Sequence, residues 1–212
     1  MELQTLSFFQ SGKNGDAAEV ERARKVVSHV KAGRIDFLGR FYNEMMTESD
    51  KEILSQFISK EATLIPLPKS APLIEGAQWP PKEICKFLIS KGYGNTISTL
   101  LQRIKVVPKA AFQENAEERP TVQKHYETIE VVKGHVYPIG VSEIILVDDV
   151  VTQGRMGYGC YLRLSEIFPD IPIKLFCLVR TNTFRNIEKC IYPKQTKITY
   201  NKETGKTFHI DN

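Results

Sequence analysis

Four consecutive apolar residues, Ile144-Ile145-Leu146-Val147, run without alternation into Asp148-Asp149, then Val150-Val151, Thr152-Gln153-Gly154 and Arg155-Met156. An unbroken apolar run of this length predicts a strand buried on both faces, here followed by a tight polar loop and the start of a helix. The helix is predicted from one apolar stripe, Cys160, Tyr161, Leu164, Ile167 and Phe168, and Pro169 ends it. Residues 173–179, interrupted only by Lys174, give the next buried strand. Strand, helix and strand over this length predict a right-handed βαβ unit within a parallel sheet.

The same patterning places the other elements. Ala62-Thr63-Leu64-Ile65 predicts a strand that ends in Pro66-Leu67-Pro68-Lys69-Ser70, and Pro81 opens a helix whose apolar face is Ile84, Cys85, Leu88 and Ile89. Residues 1–60 read as a separate helical layer. Val20, Ala23, Val27 and Val30 share one face, Gly33 breaks the helix, Ile35, Leu38, Tyr42 and Met45 continue, and Ile53, Leu54, Phe57 and Ile58 mark a third helix. The long polar connection over residues 102–124 is unusual inside an α/β domain and reads as a lid or as a charged surface loop, with a β-hairpin over 124–136 as a further reading. At the other end, residues 197–200 and 206–210 alternate on either side of Asn201-Lys202-Glu203-Thr204-Gly205, which predicts a hairpin in which His209 is structural. The expected architecture is α/β: a Rossmann-like parallel core over 61–182, a helical N-terminal layer over 1–60 and a C-terminal β-hairpin over 183–212.

Composition narrows the classes. The 212 residues are 42% hydrophobic and 25% charged, ordinary for a globular chain with a sizeable core. A net charge of +4 suits a polyanionic small substrate as well as it suits weak contact with nucleic acid, and no basic stripe interleaved with aromatics supports a dedicated nucleic-acid surface. Cys85, Cys160, Cys177 and Cys190 form no CxxC pair, which predicts buried free thiols. No run reaches membrane-spanning length and residues 1–10 lack a signal-like pattern, so a cytoplasmic location without a membrane partner is expected.

The candidate chemistry lies where the first strand ends. Amides at a helix N-terminus point outward unpaired and carry the positive end of the helix dipole, so the loop suits a phosphate. Two carboxylates beside it suit sugar hydroxyls or a divalent metal, and together the features describe a site for a phosphorylated sugar. The same acids would also serve simply to cap the following helix.

The order apolar-apolar-apolar-Asp-Asp-apolar-apolar-Thr-x-Gly closely resembles the binding loop of type I phosphoribosyltransferases. Leu64-Ile65-Pro66-Leu67-Pro68 and Lys31-Ala32-Gly33-Arg34 further resemble the branch related to the competence factor ComF, over residues 20–182. The resemblance implies a phosphoribosyltransferase-like fold and use of phosphoribosyl pyrophosphate with Mg²⁺, the phosphoribosyl group passing to a nitrogenous base or related acceptor with release of pyrophosphate. It implies that Asp148 and Asp149 hold the ribose and the metal, and that Val150, Val151, Thr152, Gln153, Gly154, Arg155 and Met156 form the loop around the 5′-phosphate. Pro68, Lys69 and Ser70 correspond to the pyrophosphate loop. Arg103 and Lys105, with Lys109, Arg119 and Lys124, are the cations that would close over the diphosphate. Trp79 is expected as a core residue or as a ring stacked on ligand. Gln153 and Met156 depart from the pattern, each standing where a small hydroxyl residue is usual. They favour an alternative, a non-catalytic phosphoribosyl or nucleotide sensor or an accessory protein in DNA uptake or defence. A phosphorylated sugar or nucleotide is the expected partner, and a homodimer is compatible with it.

Overall fold

The computed structural model describes residues 1–9, 17–108, 119–132, 140–181 and 191–211. In chain order the elements are β1 (Glu2–Phe9), α1 (Ala17–Lys31), α2 (Ile35–Arg40) running into a π-helical turn (Phe41–Met45), α3 (Glu48–Phe57), β2 (Thr63–Pro66), α4 (Pro80–Ser90), β3 (Thr96–Ile97), β4 (Leu101–Arg103), α5 (Val122–Glu127), β5 (Ile129–Val131), β6 (Ile144–Val151), α6 (Arg155–Ser165), β7 (Ile173–Thr181), β8 (Ile191–Asn201) and β9 (Lys206–Asp211). Lys109, Cys190 and the far part of the hairpin expected over 124–136 lie outside the described residues.

A seven-stranded sheet, ordered β3-β2-β6-β7-β1-β8-β9, organises the chain. The five strands from β3 to β1 are parallel, and β8 and β9 continue the sheet as an antiparallel hairpin. The mixed α/β class and the β6-α6-β7 unit agree with the reading of the sequence. Alternation along β6 divides the interior in two. Ile145 and Val147 join Ala23, Leu38, Leu54, Ile84 and Leu88 in one core, whereas Ile144 and Leu146 join Cys160, Leu164, Leu101 and Ile129 in the other. Helices α1 to α4 therefore cover one face of the sheet, and α6 with the small antiparallel pair β4-β5 covers the opposite face.

Two expectations change. Residues 2–9, counted with the N-terminal helical layer, are a central strand between β7 and β8. Its pattern hides this, because Gln4, Thr5 and Ser7 are buried alongside Leu3 and Leu6 and make the segment look polar. Gln4 Nε2 donates to the Thr5 carbonyl (2.9 Å) and Thr5 Oγ1 to the Lys194 carbonyl (3.3 Å), so part of that polarity is satisfied internally. In addition, 124–136 does not begin as a hairpin. Thr121 caps α5 by accepting from the Lys124 amide (3.1 Å), and β5 pairs with the distant β4. Cys85, Cys160 and Cys177 are free and buried, as expected. Among the described residues no helix is long and apolar enough to cross a membrane.

Candidate functional site

Adjacent parallel strands bring the two expected loops to one end of the sheet. Pro66 is in register with Val147, and the Leu67 amide donates to the Val147 carbonyl at 2.9 Å. Residues 67–70 and 152–154 therefore follow adjacent strands at the carboxyl end of the sheet, where ligands bind in open parallel sheets, with β6 running on to Val151 before its loop begins.

The twin acids sit differently from the expectation. β6 continues past them, pairing Asp148 with Cys177 and Val150 with Val179, so both carboxylates are on the strand and the loop proper is Thr152-Gln153-Gly154. Asp148 is only 6% exposed, and its Oδ1 accepts from the Asp149 amide (2.9 Å). Burial, reinforced by the neighbouring Asp149 charge, pushes the Asp148 carboxyl well above the usual carboxylate range. Asp149 is half-buried, with Oδ1 accepting from the Val150 amide (2.8 Å). The pair thus divides into a buried acid that tends to neutrality and an accessible one. No group of three or more His, Cys, Asp or Glu converges on a metal site among the described residues. Asp149 by itself fits Mg²⁺ only where ligand oxygens supply most of the coordination, which is the usual manner of Mg²⁺-phosphate sites.

The loop Thr152 to Gly154 is shaped by the C-terminal hairpin. Gly154 has φ 72° and caps α6, and a Cβ there would lie 2.5 Å from Ile198 Cδ1, so both conformation and space call for glycine. His209 Nε2 donates to the Thr152 carbonyl (3.1 Å) and Thr207 Oγ1 to the Gln153 carbonyl (2.7 Å). These bonds draw the loop carbonyls, which would repel an anion, toward β9. His209 is held neutral, with burial and Arg180 lowering its pKa to about 4. Val151 is buried, and Val150 and Met156 pack against the two cores. Arg155 Nη1 donates to the Arg119 carbonyl (3.0 Å), and burial followed by the Arg119 charge lowers the Arg155 pKa, so two guanidinium groups stand close together at the head of α6.

The loop after β2 is fixed in the same manner. Trp79 Nε1 donates to the Leu67 carbonyl (2.8 Å), Arg103 Nε to the Lys69 carbonyl (2.9 Å) and the Val107 amide to the Ser70 carbonyl (2.8 Å). Pro68 is buried and Lys69 exposed, its Nζ donating to the Gln78 carbonyl (3.1 Å). A cleft of about 270 Å³ is lined by Pro68, Lys69, Trp79, Gln102 and Arg103, and a second of about 610 Å³ by Gly33, Gln78, Trp79, Lys82 and Lys86. Trp79 is common to both, and neither lining includes Asp148 or Asp149.

Of the expected closing cations, Lys105 and Lys124 are exposed and Arg119 is half-buried. Arg103 is 1% exposed, and its guanidinium is engaged by Lys69, Thr128 and His125, so it lies under the loop rather than over a ligand. No local motif in the sequence marks Thr207, Thr128 and His125 as site residues. Their relevance comes from strand pairing and helix packing across long stretches of chain. No family model matches the chain, and no curated protein matches it.

Proposed function

We propose that the protein binds a phosphoribosyl diphosphate with Mg²⁺ across the carboxyl ends of β2 and β6 and transfers the phosphoribosyl group to a nitrogen nucleophile, releasing pyrophosphate. The observation that carries this reading is the pair of neighbouring loops whose carbonyls are drawn inward: Leu67, Lys69 and Ser70 on one side, Thr152 and Gln153 on the other. In this reading the 5′-phosphate rests on the loop Thr152 to Gly154 and on the first amides of α6 at Arg155 and Met156. Asp149 receives the ribose hydroxyls, and Lys69 and Ser70 meet the diphosphate. The bound Mg²⁺ would neutralise diphosphate charge, with Asp149 as its protein ligand.

A second reading, binding without turnover, is favoured by the buried Asp148, which burial disfavours as a carboxylate, together with Gln153 and Met156 in place of hydroxyl residues. One experiment separates the two: titration calorimetry with phosphoribosyl pyrophosphate and Mg²⁺, followed by a pyrophosphate-release assay over purine, pyrimidine and simple amine acceptors. Binding with release identifies the transferase, and binding with no release for any acceptor identifies the sensor. Absence of heat with phosphoribosyl pyrophosphate overturns both.

A further inference from the structure

We infer that Arg103 is a positioning residue: from beneath, it sets the loop Pro68 to Ser70 for an anion and ties that loop to α5, which packs on α6, the helix that begins at the phosphate loop. The inference rests on the phosphoribosyl reading of the site and gives Arg103 a role that acts through the loop it holds.

Every donor nitrogen of the Arg103 guanidinium is engaged inside the protein. Nε donates to the Lys69 carbonyl (2.9 Å), Nη1 to Thr128 Oγ1 (2.6 Å), and Nη2 lies 3.2 Å from His125 Nδ1, which must be the acceptor because arginine has none. Thr128 Oγ1 in turn donates to the Lys124 carbonyl (2.6 Å), and the Thr128 carbonyl accepts from the Ile104 amide (3.0 Å). The donations therefore radiate from Arg103, to the loop on one side and to α5 and its C-cap on the other. No carboxylate pairs with Arg103 among the described residues, and a buried cation with three neutral partners is costly to keep unless those partners are well placed.

With the Lys69 carbonyl turned inward, the amides of Lys69, Ser70 and Ala71 donate to no backbone or side-chain acceptor among the described residues. That is the arrangement an anion requires of a loop: donors presented, acceptors withdrawn. The other end of the network is equally close-packed. At Gly159 in α6 a Cβ would lie 2.8 Å from His125 Cβ and 3.1 Å from the Tyr126 amide nitrogen, and Arg163 Nε donates to the Tyr126 carbonyl (2.9 Å). α5 thus rides directly on α6, and α6 begins at the phosphate loop.

The test uses the whole chain and three probes: inorganic pyrophosphate, ribose 5-phosphate, and phosphoribosyl pyrophosphate with Mg²⁺. Arg103→Lys keeps the charge and loses the three-way geometry, and Thr128→Val removes one partner at nearly constant volume. Both variants are expected to weaken pyrophosphate and phosphoribosyl pyrophosphate binding, Arg103→Lys by about tenfold, while ribose 5-phosphate affinity changes by less than about twofold. Equal loss for all three probes would reduce Arg103 to general stability and overturn the inference. Unchanged affinities in both variants would overturn it and leave the phosphoribosyl reading standing. A wild-type chain that binds ribose 5-phosphate but not pyrophosphate would do the same, whereas one that binds none of the probes would remove the functional reading and the inference with it.

Discussion

Two neighbouring aspartates with opposite environments give the sharpest expectations at the scale of single residues. Because the folded-state pKa of Asp148 lies above its unfolded value, the stability it contributes is present below pH 3.8 and is lost as pH rises through the folded value; at neutral pH the ionised form is penalised. Asp148→Asn should therefore raise the thermal midpoint of the ligand-free protein by roughly 2–4 °C, corresponding to about 1 kcal/mol. Asp149→Asn, at a half-buried position, should leave that midpoint in place and weaken phosphoribosyl pyrophosphate in calorimetry. Equal behaviour of the two variants would contradict the division of the pair. Trp79, the only tryptophan, borders both clefts and is held through its indole N–H. Its emission should shift when pyrophosphate is added to the wild-type chain, and a flat spectrum at saturating ligand would place the anion elsewhere.

At the scale of elements, the loop between β6 and α6 depends on a glycine and on the hairpin behind it. Gly154→Ala places a Cβ at positive φ and against Ile198, so it should cost about 2–3 kcal/mol in urea denaturation and weaken phosphate binding. Thr207→Val removes only the donor to Gln153 and should weaken ribose 5-phosphate more than it lowers stability, as read by the same two measurements. β6, α6 and β7 were legible in the sequence because a strand buried on both faces needs a nearly unbroken apolar run and its helix an apolar stripe. The hairpin was legible from its alternation around Gly205. α5 was not, since six residues with only Val122 and His125 buried carry too little periodicity. Within the site, the neighbouring loops could be read from strand-loop order, but the fate of Arg103 could not. Whether an arginine lies over a ligand or beneath a loop is decided by Lys69, Thr128 and His125, which only the fold assembles.

For the whole molecule, the buried His125 and the half-buried His209 set the acid limit. Burial, with Arg103 and Arg155 adding repulsion, lowers His125 to about 3, and His209 stands at about 4, both below the ordinary value of 6.5. Between these values the unfolded chain binds more protons than the folded one. The stability they confer is thus complete above pH 6.5 and declines as pH falls toward about 4, by up to about 1.4 kcal/mol per pH unit for each residue. In Asp148→Asn, where the opposing gain from that carboxyl is removed, the thermal midpoint should drop between pH 7 and pH 4.5, and adding His209→Gln should flatten the drop. A midpoint that holds or rises over that range would contradict the buried neutral assignment.

The place of β1 has a consequence for how the chain reaches this state. Leu3 lies opposite Leu175 on one side and Thr196 on the other, so both edges of this strand wait for segments synthesised much later. Closing such distant pairings is entropically slow, and until then its polar interior side chains keep the waiting strand hydrated and poorly adhesive. The glutamine, threonine and serine that disguise it as a non-core segment also suit it to a long delay on the ribosome.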